Sequence, residues 1–167
     1  MTNKERSAAI RAEIKKLGYN SRQISVRSGY CGYSDYTHIT VKDLSIDFKA
    51  IEKIGAKFES IRYDEYSGEI LEGANTYISV RYDYNVLHNA VDAQLARAQT
   101  MIENTTSSFE TLKDNEKQIV AVPCSKDRWT LAEFKNGENA GRNLTYEMDK
   151  SYIAYKIAEV LVLHKAA

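Results

Sequence analysis

Between Ala8 and Tyr84 one αββ pattern is written twice, and this constrains the fold more than any other feature of the chain. The helix-like IRAEIKKLG leads to RQISVR, a Tyr- and Gly-rich connection, and YTHITVKD. DFKAIEKIGAKF then leads to ESIRYDE, a turn at SGE, and NTYISVRYD. In the first helix Ile10, Ile14 and Leu17 fall at i, i+4 and i+7, a narrow apolar stripe that predicts Arg6, Arg11, Lys15 and Lys16 on the outside. Thr2 or Asn3 suits its start, and Gly18 with Asn20 its end. Ile24 and Val26 alternate with Gln23, Ser25 and Arg27, the period of a half-buried strand. Ile39 and Val41 repeat that period, which turns Tyr36, His38, Thr40 and Lys42 to the other face. A second helix spans Ile46 to Phe58, with Phe48, Ile51 and Ile54 on one side. A third strand is expected around Ile61 and a fourth around Ile78 and Val80, with turn chemistry at Ser67-Gly68 and from Gly73 to Asn75. The expectation is an α+β fold: a two-layer αββαββ antiparallel sheet with its helices on one face.

Beyond the repeat, Leu87, Val91, Leu95, Ala98 and Ile102 keep one face of a long helix apolar from about Asn85 to Glu103. Core packing explains that stripe better than a dimer seam, so a monomer is expected. Thr105 to Asp114 reads as a polar linker. KQIVAVPC reads as a buried strand that stops at Pro123, the single proline, and RWTLAEF with Trp129 as its hairpin partner. KNGENAGRN reads as a loop. A last helix, capped by Asp149 or Ser151, carries Ile153, Ile157, Val160 and Leu161. This divides the chain into an αββαββα domain over 1–104 and a ββα extension over 105–167, which either extends the first sheet on the same core or stands apart as a small second lobe.

Charge sums to zero over 167 residues, but the signs are segregated. Residues 1–42 hold eight Lys or Arg against three Asp or Glu, whereas residues 43–90 hold five against nine. A basic arm of this kind meets nucleic acid in some proteins, and in others is an ordinary solvated helix face. Cys31 and Cys124 stand far apart with no metal-ligand spacing, which suits a reducing cytosol and argues against a disulfide framework. The opening residues lack the apolar centre of a signal peptide, and no run approaches the ~20 apolar residues of a membrane span. A soluble, cytoplasmic protein without membrane contact is expected.

No catalytic, cofactor or metal site is expected. His38, His88 and His164 lie in different elements, and neither GYCGYS nor GENAG has the context of a phosphate loop. The sheet face opposite the core is richer, because strand alternation there gathers Arg27, Tyr36, His38, Lys42, Arg62, Tyr77 and Arg81. Basic groups interleaved with flat rings suit single-stranded nucleic acid, charges meeting phosphates and rings stacking on bases. Tyr is equally a strand-forming and a protein-interface residue. The second feature is the hairpin carrying Asp64, Glu65, Glu69 and Glu72. Such a run is ordinarily a solvated edge, but carboxylates along an exposed hairpin can also imitate phosphates and fill a groove built for nucleic acid.

The order helix–GYNSRQISV–ITVKD–helix–YDEYSGEIL–GANTYISVRYDY resembles the large polyvalent protein-associated domains of phages and conjugative elements, over roughly the first half of the chain. The resemblance implies a mobile-element setting and assigns no catalytic residue. Small proteins of that setting include DNA-transfer accessories and inhibitors of host defence, anti-CRISPR proteins among them. The expected function is therefore a non-enzymatic inhibitor that binds a host defence protein or protein–nucleic-acid complex, with a direct DNA- or RNA-binding accessory protein as the alternative and a small nuclease or modifying enzyme as a third class.

Overall fold

The computed structural model describes residues 1–103, 109–114, 117–125, 128–135 and 138–163. By its contacts the chain divides into two compact units, Met1–Val86 and Leu87–Ala167. The division falls near the start of the long helix, where the sequence suggested its end.

The first unit runs α1 (Asn3–Lys16), β1 (Ile24–Cys31), β2 (Ser34–Val41), α2 (Phe48–Ala56) and β3 (Thr76–Tyr82). Thr2 and Glu5 close a capping box at the head of α1. At its tail Gly18 N–H bonds Lys15 O and Tyr19 N–H bonds Ile14 O, with Gly18 at φ 87° as this termination requires. Asp47 caps α2 by accepting from Ala50 N–H. Ile10, Ile14, Ile24, Val26, Ile39, Val41, Ile46, Ile51 and Ile54 make one buried cluster, and Ile78 and Val80 pack half-buried against it. At Gly55, α2 comes so near β3 that a Cβ would stand 3.0 Å from Ile78 Cγ2.

The α+β class holds, but the layout of this sheet differs from the expected antiparallel αββαββ. It has three strands in the order β1-β2-β3, and β2 pairs with β3 in parallel. The segment around Ile61 makes only isolated bridges, Ser60 to Thr76 and Tyr63 to Ile70, and Ile61 lies outside the buried cluster. ESIRYDE carries too few apolar side chains among its charged ones to offer a face for burial. β3 therefore joins β2 directly, and the long connection through α2 supplies the crossover that a parallel pair needs.

Arg6 also departs from its expected place. It is 5% exposed, with Nη2 2.9 Å from Asp35 Oδ2 and Nη1 2.7 Å from Asn3 Oδ1. The helix end that meets the sheet is thus polar, and it continues as a hydroxyl chain from Ser7 to Ser28 to Thr37.

The second unit holds most of α3 (Tyr84–Glu103), then β4 (Phe109–Asp114), β5 (Lys117–Ser125), β6 (Arg128–Lys135), β7 (Glu138–Asn143), β8 (Met148–Asp149) and α4 (Lys150–Leu163). The sheet is five-stranded and antiparallel, ordered β4-β5-β6-β7 with β8 beside β6. The expected linker contains β4 and the expected loop contains β7, because polar strands gain their place from pairing with the apolar β5 and β6. β5 also runs past Pro123 to Ser125 through a register shift, the irregularity at which a strand tolerates proline. Asp149 Oδ1 caps α4 by accepting from Tyr152 N–H. Ile153, Ala154, Ile157, Ala158, Leu161 and Val162 of α4 are buried, as are Ile119, Trp129 and Leu131. On α3, Val91, Ala98 and Ile102 are buried while Leu87 and Leu95 are half-buried. Among the described residues no helix is long and apolar enough to cross a membrane.

Candidate interaction surface of the first unit

The acidic segment folds as a short hairpin. Leu71 N–H bonds Arg62 O at 2.9 Å, Asp64 N–H bonds Glu69 O at 2.8 Å, and Gly68 N–H returns to Asp64 O at 3.0 Å. Gly68 sits at φ 70°, a conformation glycine adopts without strain. Asp64 serves the turn itself, its Oδ1 accepting from Ser67 N–H at 2.8 Å and Tyr66 N–H at 2.9 Å. The Ser67 amide, and after it the Tyr66 amide, hold this carboxyl below the usual aspartate range. Glu65, Glu69 and Glu72 remain exposed, so three carboxylates rather than four project freely.

What fixes the hairpin to the sheet is Asn75, 2% exposed at the entrance to β3. Its Oδ1 accepts from Arg62 N–H at 2.9 Å. Its Nδ2 donates to Leu71 O at 2.7 Å and to Tyr77 Oη at 3.3 Å. The amide thereby joins both legs of the hairpin to the strand. On the other side Ala74 N–H bonds Tyr33 O at 2.9 Å and Asp35 N–H bonds Asn75 O at 2.8 Å, so the β1–β2 turn is tied to the same point. Sequence reasoning took Asn75 only as a turn residue. Its position directly before a strand, after Gly73 and Ala74, is the one local signal of a larger role.

Exposed aromatic side chains collect on these tied segments. Tyr66 is 99% exposed and Tyr33 90%, and Tyr30, Tyr63 and Ile70 are all more than half exposed. Tyr is among the residues enriched at protein interfaces, whereas carboxylates are depleted there.

On the open sheet face, strand register brings most of the expected residues together. Arg27 pairs with His38 and His38 with Ser79; Gly29 pairs with Tyr36 and Tyr36 with Tyr77; Thr40 pairs with Arg81. Lys42 follows β2 at the same parity and is exposed. A Cβ at Gly29 would stand 2.5 Å from Tyr36 Oη, so the Tyr36 ring lies across the neighbouring strand rather than standing away from it. The His38 ring lies 4.9 Å from that of Tyr36 at 40°. Arg62 does not join this face. With no strand around Ile61, alternation cannot carry it there, and it sits at the base of the acidic hairpin with Tyr63 and Leu71.

His38 lies in the first unit, His88 on α3 beside Asp92, and His164 outside the described residues. Among the described residues no three His, Cys, Asp or Glu side chains gather as metal ligands. Compared with family models, with curated proteins and with solved structures, the chain matches none.

Proposed function

We propose that this chain is a non-enzymatic binding protein, an anti-CRISPR-type inhibitor whose acidic hairpin occupies a basic, nucleic-acid-handling surface of a host defence protein. The observation that carries the reading is the anchoring of the hairpin through Asn75. A carboxylate array imitates phosphates only if its spacing is held, and a hairpin fastened at both legs loses less conformational entropy on binding. The surrounding Tyr33, Tyr63, Tyr66 and Ile70 supply the apolar contact that charge alone lacks. The mobile-element setting implied by the sequence resemblance agrees with such a role.

The test is reversal of Glu65, Glu69 and Glu72 to Lys together, with Asp64 kept because it holds the turn. Exposed charges tolerate exchange, within about ±0.5 kcal/mol each. The folded triple variant is expected to lose protection of a phage against host restriction. Undiminished protection overturns the reading.

The geometry of the open sheet face favours a second reading, direct binding of single-stranded DNA or RNA. A tyrosine lying across the sheet presents a ring face on which a base can stack, with Arg27 and Arg81 near for phosphates. On this reading affinity for a labelled oligonucleotide falls steeply with salt, and Tyr36→Ala or Tyr77→Ala each costs about 1–3 kcal/mol. Salt-independent or absent binding removes it.

A further inference from the structure

β3 is an edge of its sheet: β2 lies on one side, and among the described residues no strand lies along the other. Thr76 exchanges both its backbone bonds with Ser60 on that outer side, at 2.7 and 3.0 Å. By strand alternation Ile78, Val80 and Tyr82 therefore also turn their N–H and C=O groups outward. The outward N–H of Ile78 does not meet a strand; it donates to Glu59 Oε1 at 3.2 Å. A carboxylate thus stands where the carbonyl of an incoming strand would stand. Beside this edge runs a groove lined by Glu52, Ala56 and Glu59 together with Ile78 and Val80, and it contains no basic side chain.

We propose that β3 accepts an extended, basic segment of a partner protein as a fourth strand of the first sheet. The outward backbone groups supply the pairing, and the half-buried Ile78 and Val80 supply apolar contact for alternate side chains. Glu52 and Glu59 line the groove on the same side as Ile78 and Val80, so they select Lys or Arg at those same alternate positions, whose aliphatic stems run along the two apolar side chains. When the strand arrives, the Glu59 carboxylate leaves Ile78 N–H to a peptide carbonyl and meets a cationic side chain. The opposite edge rejects the same segment. There Arg11 Nη2 holds Val26 O at 2.6 Å, and Arg11 and Lys15 border the neighbouring groove. This site lies apart from the acidic hairpin, and its failure leaves that reading standing.

The test uses the full chain and a fluorescein-labelled peptide of about six residues, the length of a common strand, with Lys and Val alternating. Three comparisons accompany it: the same peptide N-methylated along one backbone edge, a Glu-Val counterpart, and the variant carrying Glu52→Gln and Glu59→Gln. The Lys-Val peptide is expected to bind saturably. N-methylation or the double substitution should each weaken it about tenfold or more, and amide exchange at Val80 and Tyr82 should slow on binding. Equal binding of the methylated or the acidic peptide overturns the proposal, as does unchanged exchange at Val80 and Tyr82. Growth of the particle with concentration in the absence of peptide, abolished by Glu52→Gln with Glu59→Gln, overturns it in favour of a second copy on this edge.

Discussion

Asn75 concentrates more of the candidate surface in one side chain than any other residue described. Replacing it by Ala removes the acceptor of Arg62 N–H and the donor of Leu71 O together. Leaving such buried groups unpaired costs about 1–3 kcal/mol, and the lost hold on both legs frees the hairpin. Denaturant unfolding of Asn75→Ala is expected to show that loss, with faster amide exchange at Arg62 and Leu71. Parental stability would mean that the hairpin holds itself. Asp64 acts inside the turn instead. Its pKa is lowered in the folded chain by the Ser67 and Tyr66 amides. The stabilisation is therefore complete above the unfolded value of about 3.9 and fades as pH falls through the folded value. Protection at Tyr66 and Ser67, the exchange rate taken relative to that of an unstructured chain at the same pH, should fall at acid pH in the parent. Asp64→Asn, which keeps an acceptor oxygen without a titrating proton, should show no such acid dependence. Persistence of the acid response in that variant would assign it to another group.

At the scale of elements, α1 is docked by charge as well as by its apolar stripe. Arg6 reaches Asp35 at the start of β2, with side-chain exposures of 6% and 22%. Asn3 Nδ2 bonds both Gly29 O and Asp35 Oδ1. Removing one partner of a buried pair costs about 3–5 kcal/mol, and partial exposure of Asp35 places Arg6→Ala near the lower end. Arg6→Ala is expected to lower the first unit's stability by about 3 kcal/mol, whereas Lys15→Ala on the solvent face should change it by less than about 0.5 kcal/mol. Equal effects in urea unfolding would reduce Arg6 to a surface charge. The sequence showed where most helices and apolar strands lie, because capping at Thr2, Asp47 and Asp149 and the periods of Ile24, Val26, Ile39 and Val41 are local signals. It did not show the parallel pairing of β2 with β3, since a repeated αββ pattern says nothing about which strands meet. It missed β4 and β7, whose polar residues owe their conformation to neighbours rather than to their own pattern. For the candidate surface, the carboxylates and tyrosines were plain in composition. The role of Asn75 was not, because its partner Arg62 stands 13 residues away.

For the whole molecule, two compact units, the first with a buried cluster drawn wholly from its own residues, are expected to unfold in separate steps, which departs from two-state behaviour. The chain carries its own reporters. Trp129, the single tryptophan, is 2% exposed in the second unit, whereas nine of the twelve tyrosines lie within residues 1–86. Val41 is fully buried between the first sheet and its helices. Val41→Asp places an unpaired charge there at a cost of several kcal/mol, comparable with the stability of a small domain. The expected outcome is collapse of the tyrosine near-ultraviolet dichroism while Trp129 emission and its denaturation midpoint keep their parental values. Because the hairpin and the β3 edge both belong to the first unit, the same variant should lose binding to a defence target and to the Lys-Val peptide together. A red shift of Trp129 emission before denaturant is added would show instead that the second unit depends on the first for its fold, and that the chain unfolds as one cooperative body.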